Sequence, residues 1–335
     1  MYKSKLSKTS EKTIVITGAT GWIGRHVYHA LKNLAEYNCR LILIDVTRTG
    51  CNHADLEYGN GKEPMESLVS LPEIPQEDII KIDLAEDSAQ QDLEELFTKI
   101  NPDLLFHLAA VLDNAKKEDI EKNKIIDRNV LTVSKKLNIK IIAASSLMTM
   151  FGLALSNPSI LSIFKKQKIE LLAEEKLTVD IPIKGTNTLD LIKIICANEE
   201  RAIANLTYIS AKEELEKFAE DIVSSDNTQT MIMVRFGWTG MRDPRELEKE
   251  SEFTQIPIRI HPKDLSSFIE KLTLAVLSEK VTGYKIYICV SSHPQSWVDI
   301  KEPKQDFNWE PQYIAGSEYE SKSLLANYRK PSLFK

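Results

Sequence analysis

Short apolar runs alternate along this chain with longer amphipathic stretches. Residues 13–17 (TIVIT) form a β-branched run that predicts a buried strand. Over residues 22–35 the apolar positions Ile23, Val27, Ala30, Leu31 and Leu34 fall on one helical face. Residues 40–46 (RLILIDV) predict a second strand, and the Gly-, Asn-, Pro- and Glu-rich residues 47–76 a long surface loop. A strand over 78–83, a helix over 88–100, a strand over 103–107, a helix over 118–137 and a strand over 140–144 follow. Strand–helix alternation of this kind implies right-handed crossovers and a parallel sheet with helices on both faces.

The rhythm breaks over residues 153–204, about fifty residues of mixed pattern with no internal repeat. It resumes with a helix over 205–223, a strand over 230–236, a helix over 262–277 and a short strand over 284–290. The tail beyond Ser291, with several prolines and aromatics, predicts irregular structure packed on the domain.

Composition adds one strong feature. The chain has only 12 glycines in 335 residues, and three of them, Gly18, Gly21 and Gly24, fall between the first strand and the first helix. The segment TIVITGATGWIGRHV thus reads strand, G-x-x-G-x-x-G, helix. Gly18 can make the tight turn out of the strand, Gly21 lets a pyrophosphate approach the backbone, and Gly24 lets helix and strand pack closely. The helix N-terminus beyond offers N–H groups and a partial positive charge to phosphates. Asp45 ends the second strand, 21 residues past Gly24. A carboxylate there suits the adenosine ribose hydroxyls and repels a 2′-phosphate, which favours NAD over NADP. The competing reading is a glycine turn with no ligand, and the strand, helix and acidic partner argue against it.

The remaining composition excludes classes. Hydrophobic residues at 42% and charged residues at 27% fit an ordinary folded core rather than disorder. A net charge of -6 argues against a general nucleic-acid binder. Cys39, Cys51, Cys196 and Cys289 are widely spaced, and the six histidines show no ligand spacing, so neither a disulfide framework nor a metal site is expected. The polar, basic N-terminal residues and the lack of a long apolar run predict no secretory signal and no membrane span, hence a reducing, cytoplasmic location.

The glycine spacing resembles the short-chain dehydrogenase/reductase superfamily, in its extended, NAD-dependent epimerase/dehydratase branch. Further stretches agree. Asp83 and Leu84 resemble the acidic–apolar pair that contacts adenine. Residues 102–110 (PDLLFHLAA) resemble the strand end at which Leu108, Ala109 and Ala110 would line the nicotinamide ribose. Asn129 sits where the family has a structural asparagine, and residues 234–240 (VRFGWTG), with Phe236, resemble the strand and turn under the nicotinamide. Residues 260–265 (IHPKDL), Trp297, Asp299 and residues 309–311 (WEP) look most like uronate dehydrogenases within this branch. The resemblance implies an α/β, Rossmann-type doubly wound parallel sheet with a small C-terminal substrate-binding part and an inserted lobe. Residues 12–152 and 205–240 would form the NAD-binding domain, 153–204 the insertion and 241–335 the C-terminal part. Thr20, Trp22 and Ile23 would join the three glycines, Asp45, Tyr208 and Lys212 around NAD.

The family works through a Tyr-x-x-x-Lys pair on one helix face. The ammonium favours the phenolate, and the tyrosine then moves a proton on the substrate oxygen. The motif occurs three times, as Tyr28/Lys32, Tyr58/Lys62 and Tyr208/Lys212. Only the last lies on a helical pattern between the fifth and sixth strands, so Tyr208 and Lys212 are the expected pair. An exposed helix with an ordinary Tyr and Lys is the bland alternative. The family also places a hydroxyl just past the fifth strand. Counting back from Gly152 puts Leu147 there; counting forward from the strand puts Ser146 there. Ser146 is chosen, with Ser145, Thr149 or no hydroxyl left open. His107, at a strand end among apolar residues, reads as structural. Arg235 and Arg259 could clamp a substrate carboxylate, or could serve structural ion pairs.

Ser146 and Tyr208 lie 62 residues apart, far more than the family has there. So long a segment is expected to form its own small lobe: a lid over the substrate, an oligomer contact or a partner surface. The expected function is an NAD-dependent oxidoreductase acting on a sugar or sugar acid, with a homodimer implied by the resemblance. The alternatives are a nucleotide-sugar epimerase/dehydratase, for which the short C-terminal part leaves less room, and an NAD-binding sensor or adaptor that has lost catalysis.

Overall fold

A computed structural model of the chain describes residues 11–32, 34, 38–46, 74, 78–112, 115–165, 176–179, 185–196, 198–239 and 256–315. The strands are β1 (Lys12–Thr17), β2 (Cys39–Asp45), β3 (Ile79–Lys81), β4 (Leu104–His107), β5 (Lys140–Ser146), β6 (Met231–Phe236) and β7 (Tyr284–Cys289). They pair in the order β3-β2-β1-β4-β5-β6-β7, with every neighbour parallel. This is the doubly wound order, whose strand direction of growth reverses between β1 and β4. Among the described residues no single helix is long and apolar enough to cross a membrane.

The sheet is buried on both faces, as all-parallel sheets are. Ile14 and Ile16 of β1, Leu104 and Phe106 of β4 and Ile232 and Val234 of β6 point into one apolar cluster. The residues between them, Val15, Leu105 and Met233, point into another. The first cluster is closed by α1 (Trp22–Lys32) and the helix Pro262–Leu277; the second by α2 (Ala89–Ile100), α3 (Lys117–Lys136) and the long helix Glu199–Ser225. Between α3 and that helix come α4 (Phe151–Ser156), α5 (Pro158–Phe164) and α6 (Leu189–Lys193). The long helix is thus α7, Pro262–Leu277 is α8, and Lys301–Phe307 is α9.

The long helix departs from expectation at its start. The sequence pattern predicts it from residue 205, yet α7 begins at Glu199. Asn198 caps it by accepting the Arg201 N–H at 2.8 Å, and Glu199 and Glu200 sit in the first turn, where they complement the helix dipole. The described part of 153–204 shares one apolar cluster with the C-terminal segment: Phe164, Leu177, Ile192 and Ala202 pack with Ile288, Trp297 and Val298. Among the described residues of 176–179, one parallel bridge joins Leu177 to Val298. The loop expected over 47–76 lies outside the described residues except for buried Ile74.

The C-terminal motifs have structural work. Asp264, fully buried, accepts the Ser291 hydroxyl and the N–H groups of Gln312 and Tyr313. Trp309 stacks edge-on against Phe268 and donates its indole N–H to Ser267.

Two stability predictions follow from α1. A Cβ at Gly24 would land on the carbonyl oxygen of Gly18, so Gly24→Ala should lose about 1–3 kcal/mol in a urea titration. His26 is 2% exposed, its ring lies 4.2 Å from that of Trp22, and burial, then Arg25 and His29, lower its pKa from 6.5 to about 3. The folded state therefore holds it neutral while the unfolded chain protonates below 6.5, so its share of stability is lost as pH falls from 6.5 toward 3. Urea titrations at pH 6.5 and pH 5 should differ by about 2 kcal/mol from this residue alone, and His26→Phe should remove that share.

Candidate active site

A cavity of about 860 Å³ opens at the carboxyl ends of the strands, where the order reverses. One end is built by the turn from β1 into α1. Gly18 has φ +66°, and a Cβ on it would come within 2.6 Å of the Ala109 nitrogen. Only glycine lets the two strand ends cross so closely. The first turn of α1 carries no acidic residue, leaving its positive end uncompensated. Asp45 is held in place by the Thr20 N–H at 2.9 Å, the Thr20 hydroxyl at 2.7 Å and the Val46 N–H at 2.8 Å. A carboxylate has about four acceptor positions, so one remains for a ligand hydroxyl. Gly18, Thr20, Gly21, Trp22, Ile23, Gly24, Asp45, Asp83, Leu84, Leu108, Ala109 and Ala110 all line the cavity.

Ser146, Tyr208, Lys212 and Phe236 line its other end. The Lys212 ammonium lies 5.9 Å from the centre of the Tyr208 ring and is almost wholly buried. The other hydroxyls named above are committed elsewhere. Ser145 donates to Glu216 at 2.6 Å, and Thr149, fully buried, donates to the Ser146 carbonyl at 2.8 Å. Ser146 accepts the Met148 N–H at 3.2 Å as the cap of a short 3₁₀ turn. Leu147 lines the cavity beside it. Of the competing pairs, Tyr28 receives the Lys32 ammonium at 3.2 Å on buried α1, away from the cavity wall. Tyr58/Lys62 lies outside the described residues.

The two arginines do not reach the cleft. Arg235 grips Glu216 through Nε at 2.9 Å and Nη2 at 2.8 Å, a buried bidentate pair, and is absent from the cavity wall. Arg259 is 2% exposed in the core beside its bridge to Trp238 and is likewise absent from the cavity wall. Asn129 ties Gln90 to the Leu84 carbonyl, bracing α2 against the loop after β3.

Sequence reading missed part of the cavity wall. Phe151, Phe164, Ile195, Cys196, Arg201 and Asn205 line the cavity. Arg201, Asn205, Tyr208 and Lys212 are spaced 4, 3 and 4 residues apart, one stripe along α7. The capping signal of Asn198, Glu199 and Glu200 was the cue that would have extended this stripe. A clasp secures the wall: Asn187 accepts the Gly152 N–H at 2.8 Å and donates to the Thr149 carbonyl at 2.8 Å and to Glu213 at 2.7 Å. Burial raises the Glu213 pKa above its ordinary value, partly offset by that hydrogen bond.

Residues 14–177 match the NAD dependent epimerase/dehydratase family. Within the chain, residues 14–177 are thus the part recognised as an NAD-dependent epimerase/dehydratase domain. No curated protein matches the chain by sequence. In solved structures this domain's fold recurs at low identity. Uronate dehydrogenase from Agrobacterium tumefaciens is 18% identical with a TM-score of 0.58, covering 93% of this chain and 88% of its own. UDP-glucose 4-epimerase from Bifidobacterium longum, solved with NAD+ and UDP, is 16% identical with a TM-score of 0.55, covering 93% and 99%. L-threonine 3-dehydrogenase from Trypanosoma brucei is 16% identical with a TM-score of 0.56, covering 92% and 96%. The glycine turn, the anchored Asp45 and the apolar wall of Leu108 to Ala110 fit the adenosine, diphosphate and ribose of NAD.

Asp45 should make the site selective. Calorimetric titration should give NAD at least about tenfold tighter binding than NADP, and Asp45→Ser should narrow that gap.

Proposed function

We propose that this chain is an NAD-dependent oxidoreductase acting on a hydroxyl of a sugar or sugar acid. One observation carries the reading: the dinucleotide-type turn with Asp45 and the Ser146, Tyr208 and Lys212 side chains line one continuous cavity. The uronate dehydrogenase structures, which share the fold, support the sugar-acid version.

Bound NAD supplies an acceptor for hydride from the substrate carbon. Tyr208 accepts the proton of the substrate hydroxyl, and the neighbouring Lys212 ammonium favours the phenolate that does so. Ser146 orients the same oxygen by hydrogen bonding. The wall of Phe151, Phe164 and Ile195 excludes water from this end and leaves a pocket for a small polyhydroxylated molecule. The insertion thus serves as the substrate wall.

The test is direct. The protein is incubated with NAD and a panel of uronates and aldoses, and absorbance is followed at the NADH band. Turnover is expected with at least one of them, and Tyr208→Phe should lower kcat by about 10²–10⁴-fold with NAD affinity kept. NAD binding with no turnover on any sugar or nucleotide-sugar would overturn the enzyme reading in favour of a sensor.

A further inference from the structure

A line of buried polar groups runs behind the cavity from β1 to α7. The Thr17 hydroxyl lies 2.9 Å from His107 Nδ1, and His107 Nε2 lies 2.9 Å from Asp127 Oδ1. Asp127 Oδ2 lies 3.9 Å from the Lys212 Nζ. All four side chains are 4% exposed or less. The fold brings them together because β1 and β4 pair with Thr17 opposite His107, while α3 packs against α7.

Hydrogen-bond bookkeeping assigns each proton. Thr17 Oγ1 accepts the Leu108 N–H at 3.2 Å, so its own O–H is free to donate to His107 Nδ1. The imidazole N–H is then on Nε2 and is donated to Asp127. Asp127 Oδ2 accepts no hydrogen bond. A buried carboxylate oxygen in that state is costly unless a cation offsets it. Lys212 is the cation given for it. At 3.9 Å the two charges attract but are too far apart for a hydrogen bond, so the ammonium keeps its three N–H donors for acceptors on the cavity side. The nearby acids on α7 are engaged elsewhere: Glu216 by Arg235 and Ser145, Glu213 by Asn187.

We propose that Asp127 is the positioning residue that keeps Lys212 charged and in place beside Tyr208, and that His107 and Thr17 hold Asp127 in turn. The inference rests on Tyr208 and Lys212 as the working pair, but its first test needs no substrate. Asp127→Asn keeps an acceptor for His107 and replaces the charged oxygen facing Lys212 with a neutral amide NH2. A lysine without its counter-ion in a buried site is more often the neutral amine, the form that acetic anhydride acylates. Acetylation of Lys212 in the NAD-free protein, read by peptide mass spectrometry against exposed Lys99, should rise about tenfold or more in Asp127→Asn. Asp127→Glu, which restores the charge, should return it to within about threefold of the parent. On a substrate the parent turns over, Asp127→Asn should lower kcat about tenfold or more while KM changes little.

Cooperative urea unfolding identifies the variants that fold. If Asp127→Asn does not, Thr17→Val, which removes the donor to His107, should raise Lys212 acetylation about threefold. Unchanged acetylation in a folded Asp127→Asn protein overturns the proposal, even where kcat falls. If acetylation rises but Tyr208→Phe retains full activity, the counter-ion stands and the assignment of Tyr208 fails.

Discussion

The parallel pairing of β1 with β4 is the constraint on which the rest of the molecule depends. Strands added before and after this pair grow outward in opposite directions, so a crevice must open at its carboxyl end. Two turns leave that end side by side, one from Thr17 through Gly18 and one from His107 through Leu108 to Ala110. They approach so closely that Gly18 can carry no side chain. The same register places Thr17 against His107, which in turn reaches Asp127. A single strand pairing therefore sets both the cofactor-side cradle and the polar line behind the candidate catalytic lysine.

Buried charge is handled consistently around this crevice. Arg235 and Glu216 form a bidentate pair with a serine added, and Lys212 faces Asp127, whose other oxygen is filled by His107. In a low-dielectric interior each such charge would be strongly unfavourable alone. The two pairs differ in one respect. Arg235 meets its partner at hydrogen-bond distance through Nε and Nη2, whereas Lys212 stands off from its carboxylate by 3.9 Å.

Much of this was legible along the chain. The strands announce themselves as short β-branched runs because both sheet faces are buried, and the glycine cluster marks the one turn that cannot tolerate side chains. Tyr208/Lys212 differs from its two rivals in lying between the fifth and sixth strands, and both of its side chains line the cavity. What sequence could not settle was side-chain pairing at a distance. Arg235 looks the same whether it faces a substrate or Glu216, and the choice is made by a helix meeting a strand across the sheet. Asp127 gave no signal for a similar reason, since a lone acid in an amphipathic helix is ordinary until the fold sets it against a buried lysine. The helix start at Glu199 was readable from its cap but was masked by the unpatterned residues before it.

The bridge between Leu177 and Val298 has a consequence for how the protein is made. The strand pairings from β1 to β6 lie within the first 236 residues, but one face of that sheet stays open until the helix Pro262–Leu277 packs against α1. The cavity wall built by Phe164 also waits for the C-terminal segment, because Phe164, Leu177 and Ile192 share their apolar cluster with Ile288, Trp297 and Val298. A nascent chain therefore keeps apolar surface of both clusters uncovered until residues 262–298 are synthesised, the kind of exposure that favours aggregation.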